Sequence, residues 1–413
     1  MKDVARAAIV RAIELTREAW IIAGITLALL LVMEGCSYLV VKALALDKPV
    51  MGFRSRAEGY IGKVDPIKLT LEMSRTDVRW WPYSYWRGGV FSGEYVTINP
   101  YGLRRTVNPP GPGLRPNVFM FGGSSMWGFG ASDEYTIPSQ VSSILHKKYG
   151  IAANVVNYAQ LGFVSSQSLL ELLGELRGKR RPNVVVFLDG ANEIVTTVVN
   201  DNIGLTPNEG NRRREFNLLN TSRAAFLRME ALYGLVANSY TYTLLKAARQ
   251  QGPTAAEQQS QAAGENWEGM ARSYEFNVSA VDSISQRFRF KPLFYWQPFI
   301  FGKKRLTKYE ELAAGYYAYI RPATEEARTS LARRDFGAAG IMFTDLSDLF
   351  ADSSGPMFMD WCHYSEMGNR VIAEVMADDI AVEIKRQIAA AQSCKEAGDE
   401  GGCKYASPDT GGE

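Results

Sequence analysis

From Asn117 onward, short apolar runs of β character recur with helical patterns between them. The runs are "NVFMFG" (Asn117 to Gly122), "NVVNYA" (Asn154 to Ala159), "NVVVFLDG" (Asn183 to Gly190), "KPLFYWQP" (Lys291 to Pro298) and "GIMFTDL" (Gly340 to Leu346). Helical spacing fills Ile137 to Tyr149 and Ser165 to Arg177. Strands joined through helices pair in parallel, so the alternation predicts an α/β domain whose sheet is covered by helices on both faces. Ligands of such sheets sit beyond the carboxyl ends of the strands. Residues that carry chemistry are therefore expected directly after these runs.

A chain of 413 residues, 46% hydrophobic and 22% charged, can bury a large core and is not disordered. Its net charge of +2 makes no case for nucleic acid as a partner, and "GKRR" at Gly178 to Arg181 reads as a solvated helix end. The four cysteines are too few for a disulfide scaffold and form no C-x-x-C pair. Cys394 and Cys403 bracket a short loop and could form a disulfide if the body lies outside the cytoplasm; two free thiols are the alternative.

Near the amino terminus, "WIIAGITLALLLVMEGCSYLVV" (Trp20 to Val41) has the length of a membrane span, interrupted only by Glu34. Lys2, Arg6, Arg11 and Arg17 precede it, which predicts a signal anchor with a cytoplasmic segment at 1–19 and the body in the bacterial periplasm or exterior. Lys42, Lys48, Arg54 and Arg56 on the far side weaken that bias. "VMEGC", ending at Cys36, faintly resembles a lipoprotein cleavage site.

The rest divides into an aromatic-rich, β-containing entry segment at 42–116, a main domain at 117–392 and a flexible tail at 393–413. In the entry segment, "WWPYSYW" (Trp80 to Trp86) could stack on sugar rings, rest at a membrane interface or pack against the body. "YVTINPYGLRRT" alternates like a short strand closed by an Asn-Pro turn. Insertions near 195–275 and 300–334 follow strand ends and could wall a cleft. The first contains a helix pair around Ser222 to Arg249 and a loop-like "QQGPTAAEQQSQAAGEN".

After the first run of the domain comes "GGSSMWG". Gly122 and Gly123 let the backbone turn and present Ser124 as the first polar side chain at a strand end, while Ser125 reads as a helix cap. A serine hydroxyl needs a general base, and the chain has two histidines. His146 lies beside two lysines in a helical pattern and reads as a surface residue. His363 lies in "MDWCHYSEMGN", three residues after Asp360, a spacing that brings a carboxylate to the imidazole in a tight turn. Val371, Ile372, Val375, Met376, Ile380 and Ile384 then form a stripe that would clamp this turn to the sheet. Donors for a developing oxyanion are on offer at two further strand ends, the backbone N–H of Gly162 in "NYAQLGF" and the side-chain amide of Asn192 in "DGANE".

Taken together, "GGSSMWG", "NYAQLGF", "GANE" and "DWCH" resemble the four blocks of the SGNH (GDSL-like) hydrolase family over roughly Asn117 to Lys385. The resemblance implies a flavodoxin-like three-layer α/β/α fold with a parallel sheet, here preceded by an N-terminal transmembrane helix. It also implies a Ser124 nucleophile, a triad completed by Asp360 and His363, and an oxyanion hole of the Ser124 and Gly162 backbone N–H groups with the Asn192 side chain. Two positions depart from the pattern: Gly123 stands where Asp is familiar, and Glu193 where Asp is common.

The expected activity is that of a serine esterase acting through an acyl-enzyme on O-acetyl groups of a cell-surface carbohydrate. An O-acyltransferase acting on envelope polysaccharide and a non-catalytic envelope scaffold are the rivals. The expected partners are an acylated small molecule or glycan and, through the N-terminal helix, a membrane. No cofactor is expected, since H-E-x-x-H and phosphate-loop patterns are lacking and the Cys362-His363 adjacency suits metal pinching poorly.

Overall fold

The computed structural model describes residues 2–44, 58–110, 115–178, 180–200, 203–237, 239–249 and 264–396. The chain divides into two compact units, one of Met1–Val50 with Asn211–Thr254, the other of Met51–Gly210 with Ala255–Glu413.

The larger unit holds the sheet. β5 (Asn117–Gly122), β6 (Asn154–Asn157), β7 (Val184–Asp189), β8 (Lys291–Trp296) and β9 (Phe343–Asp345) are all parallel, in the spatial order β6, β5, β7, β8, β9. The first of these strands is thus second in space, the flavodoxin-like arrangement, and the chain reverses direction across the sheet between β5 and β7. Because strand side chains alternate, the inner strands each feed two cores. Val118, Met120, Val186 and Leu293 face α4 (Ile137–Tyr149) and α13 (Glu366–Glu396), whose Ile372, Met376, Ile380 and Ile384 are buried there. Phe119, Phe121, Phe187, Phe294 and Trp296 face α5 (Ser165–Leu176), α6 (Ala191–Asn200), α10 (Gly264–Phe288) and α12 (Arg321–Ala332). Phe121, Phe187 and Phe294 stack across three neighbouring strands, with ring centroids 5.3 and 5.2 Å apart. This is the three-layer α/β/α architecture expected from the alternation.

Before the sheet, α2 (Pro66–Arg75) and two antiparallel ribbons, β1 (Val78–Trp81) with β2 (Tyr85–Gly88) and β3 (Phe91–Ser92) with β4 (Thr97–Ile98), pack on the first core through Leu69, Met73, Val96 and Ile98. Asn99 closes the Asn-Pro turn, its side-chain oxygen accepting from the N–H groups of Tyr101 and Leu103. Trp86 is buried, while Trp80, its cross-strand neighbour, is 70% exposed, so the aromatic cluster is only partly structural.

The smaller unit is built on α1 (Lys2–Ala43), whose stretch Ile13–Ala43 is long and apolar enough to cross a membrane and is exposed over most of its length, with Ser37 and Val41 buried. The first insertion supplies α7 (Glu209–Thr221, in this unit from Asn211), α8 (Arg223–Ala237) and α9 (Tyr240–Arg249), the last two being the expected helix pair. Glu34, which reads as an interruption of the span, has partners here. Its carboxylate accepts from the backbone N–H groups of Tyr240 and Thr241 and from the Thr241 hydroxyl, capping the amino end of α9. Tyr38 and Tyr240 meet edge to face, 4.9 Å between centroids. Cys36 is an exposed free thiol. Cys394 falls near the end of α13, while Cys403 and most of the Gln/Ala-rich stretch lie outside the described residues, and with them the expected pairing of the two cysteines.

Candidate active site

The site is built at the reversal between β5 and β7. β5 is buried throughout and ends at Gly122, whose φ of +147° suits glycine and whose Cβ, if present, would lie 2.3 Å from the Leu188 carbonyl oxygen. The backbone therefore passes β7 too closely for any side chain. Gly123 caps a single helical turn, α3 (Ser124–Trp127), so Ser124 stands at its first position with its side chain at the strand's carboxyl end. Ser125 does not act as the expected helix cap. Its buried hydroxyl donates instead to the Cys362 carbonyl, 3.0 Å away.

That carbonyl belongs to the loop between β9 and α13. Asp360, fully buried, accepts the backbone N–H groups of Cys362 and His363 on Oδ1, at 3.0 and 2.8 Å. Its Oδ2 lies 2.7 Å from His363 Nδ1. Because a carboxylate only accepts, Nδ1 carries the proton, Nε2 is left as the acceptor, and the Ser124 hydroxyl, 2.7 Å from Nε2, donates to it. The Phe129 ring lies beside the imidazole, 4.8 Å between centroids. His146 is exposed on α4, away from this arrangement.

The loop is braced from the second insertion. Glu310, on α11 (Lys308–Tyr316), accepts the N–H groups of Met357 and Phe358 at 2.8 and 3.1 Å, and Tyr309 donates to the Met359 carbonyl. Lys303, fully buried at its ammonium end, pairs with Glu310 and donates to the Gly355 carbonyl.

A residue not singled out in the sequence joins these parts. Gln297, directly after β8, accepts from the Ala191 N–H at 3.2 Å, while its amide nitrogen lies 3.1 Å from the Cys362 carbonyl, 3.2 Å from the Tyr364 hydroxyl and 3.3 Å from Ser125 Oγ. One side chain thereby ties the Ser124 turn, the Asn192 turn and the His363 loop. Its only signal in "KPLFYWQP" is a polar residue ending an apolar strand.

Gly162 and Asn192 flank the serine turn. Gly162 has a φ of +77°, and a Cβ there would meet nothing closer than Trp86 at 3.6 Å. The positive φ by itself favours glycine at this position. Asn192 donates one amide hydrogen to the Phe163 carbonyl at 2.8 Å and keeps a second. Gly123 explains itself here, because a Cβ at that position would stand 2.2 Å from the Asn192 amide nitrogen. The departure from Asp makes room for the amide.

Glu193 also has a clear placement. Its two carboxylate oxygens accept from the Ser165 and Gly190 N–H groups at 2.6 and 2.9 Å, fastening the turn after β6 to the turn after β7. Asp189, buried beside it, has an oxygen without a hydrogen-bond partner among the described residues. Burial first, and the Glu193 charge second, hold the Asp189 carboxyl well above the usual carboxylate range.

Donor atoms of Asp360, Cys362 and His363 lie within 4.8 Å of one another, and Cys362 Sγ approaches His363 Nδ1 to 3.6 Å. Both imidazole nitrogens already face Asp360 and Ser124, so a metal would have to displace one of those contacts.

Solved structures that align with this chain include esterases, lipases and acylhydrolases. An extracellular lipase from Streptomyces rimosus aligns at 13% identity over 64% of this chain and 99% of its own, with a TM-score of 0.35. An acetylxylan esterase from Geobacillus stearothermophilus aligns at 12% identity over 65% and 95%, with a TM-score of 0.33. The acetyl xylan esterase AlAXEase aligns at 14% identity over 64% and 99%, with a TM-score of 0.34. No protein-family model and no curated protein matches the chain.

Proposed function

We propose that the chain is a membrane-anchored serine ester hydrolase. The observation that carries this reading is the unbroken hydrogen-bonded line from buried Asp360 through His363 to Ser124, 2.7 Å at each step. As an ester carbonyl approaches, Ser124 Oγ attacks its carbon and passes its proton to His363 Nε2. Asp360 keeps the ring in the tautomer that can accept it and balances the imidazolium that forms. The oxyanion meets the N–H of Ser124 at the first helical position, where no intrahelical partner competes, together with the N–H of Gly162 and the free hydrogen of Asn192. His363 returns the proton to the leaving alkoxide. A water, deprotonated by the same nitrogen, then releases the acyl group and regenerates Ser124.

The proposed substrate is an O-acetylated carbohydrate. Trp86 packs on Phe163 beside Gly162, with 5.5 Å between ring centroids, and its indole donates to the Leu161 carbonyl. Exposed Trp80 lies directly across the ribbon from it, offering a ring face on which a sugar could stack. α1 is read as the anchor, and the basic residues before it favour a body outside the cytoplasm.

Exposure to a fluorophosphonate followed by intact mass measurement tests the chemistry. One adduct is expected on the wild-type chain and on Ser125→Ala, and none on Ser124→Ala. A folded wild-type chain that takes no adduct and hydrolyses no acetyl ester would reject an active serine and leave the scaffold reading. Acetyl release that needs a sugar acceptor would instead assign the chain as an acyltransferase.

A further inference from the structure

Within the smaller unit, α8 carries an apolar stripe that none of the described residues covers. Met229, Leu232, Tyr233 and Val236 follow i, i+3, i+4, i+7 spacing, so they share one face, and they are 58, 60, 68 and 51% exposed. Phe216 and Leu219 on α7 are exposed as well. Four large apolar side chains left this open on one face favour an apolar neighbour.

The charge of the segment says which kind of neighbour fits. Asn211 to Arg249 carries seven Arg and Lys against two Glu, although the whole chain is only +2. An apolar stripe on a strongly basic segment suits the boundary of an anionic lipid leaflet, where phosphates meet the cations and acyl chains meet the stripe. The segment is also fastened to α1. Glu34, Ser37 and Tyr38 share one face of that helix, and Thr241 and Tyr240 at the start of α9 bind it there. Glu34 lies only about 10 Å of helix before Val41, so α9 is held toward the end at which α1 leaves its apolar run.

We propose that α7 and α8 form a second membrane contact, with the Met229 to Val236 stripe pressed into an anionic leaflet and Arg213 and Arg228 meeting lipid phosphates. This rests on reading α1 as the anchor.

Hydrogen exchange of the full chain in lipid nanodiscs tests it, comparing phosphatidylglycerol with phosphatidylcholine. Amides of residues 226–237 are expected to exchange on the order of tenfold more slowly in phosphatidylglycerol, with the slowing reduced in Arg213→Glu/Arg228→Glu. Leu232→Glu/Val236→Glu should abolish it. Fluorophosphonate labelling checks that each variant's body is folded. Equal exchange in both lipids, or protection that survives Leu232→Glu/Val236→Glu, overturns the proposal. Protection that grows with the number of chains per disc also overturns it and gives the stripe to a second copy. Failure of the anchor reading is scored separately, as a chain that does not stay in the discs at all.

Discussion

The backbone of Gly123 and the amide of Asn192 occupy space that a single added carbon would contest, since a Cβ on residue 123 would stand 2.2 Å from the amide nitrogen. Gly123→Ala is therefore expected to turn the Asn192 side chain away. If that amide stabilises the oxyanion, kcat on an acetyl ester falls about 100-fold or more with KM little changed. An unchanged kcat in folded protein would remove Asn192 from the oxyanion hole.

Asp360→Asn offers an amide where the imidazole needs an acceptor that also balances charge. Turnover is expected to fall by roughly 10³ to 10⁴, and the rate of fluorophosphonate inactivation should fall with it. A loss of less than tenfold in both would mean that Asp360 does not orient His363.

Gln297 touches no substrate in the proposed mechanism, so its replacement should act through geometry. Gln297→Ala strands the Ala191 N–H, while the Cys362 carbonyl keeps the Ser125 hydroxyl, and the unfolding free energy is expected to drop by about 1–3 kcal/mol. The sign of a positioning role is a fall in kcat with KM retained. A stability loss at full kcat would leave Gln297 as packing alone.

The Asp189 carboxyl gives a pH dependence. Its pKa is raised in the folded chain, so above the ordinary carboxylate range the unfolded chain has released this proton while the folded chain still holds it. Stability contributed by that proton is lost as pH rises from about 4 through the raised folded value. Asp189→Asn, neutral at every pH, should lose less stability than wild type between pH 5 and 9, as read from urea midpoints. Parallel curves for the two chains would count against a protonated Asp189.

Much of the scaffold was legible because it depends on local pattern. The unbroken apolar runs "NVFMFG" and "NVVVFLDG" suit strands buried on both faces, and Val118 and Phe119 enter opposite cores. The helix over Ile137–Tyr149 and the pair at Arg223–Ala237 and Tyr240–Arg249 follow equally local rules. The positions of Ser124 and His363 followed from strand ends and from a short supply of histidines. Gln297, Glu310 and Glu34 were not legible, since their partners are far along the chain and a polar residue at a strand end, on a helix or in an apolar run has many ordinary uses. The Gly340 to Leu346 run illustrates the opposite error. Only Phe343–Asp345 pairs, on one side against β8, so apolarity overstated the length of an edge strand.

Ser124 and His363 lie 239 residues apart in the chain. At about 5–20 residues per second, synthesis leaves the serine waiting on the order of tens of seconds for the residue that would activate it. The amino-terminal helix is made long before either. A polypeptide released between Asn192 and Asp360 would carry the amino-terminal helix, the serine and the donor turns, yet have no base. Any protein truncated in that range is expected to be inert toward esters however well its first strands fold, which confines the reactive hydroxyl to finished molecules.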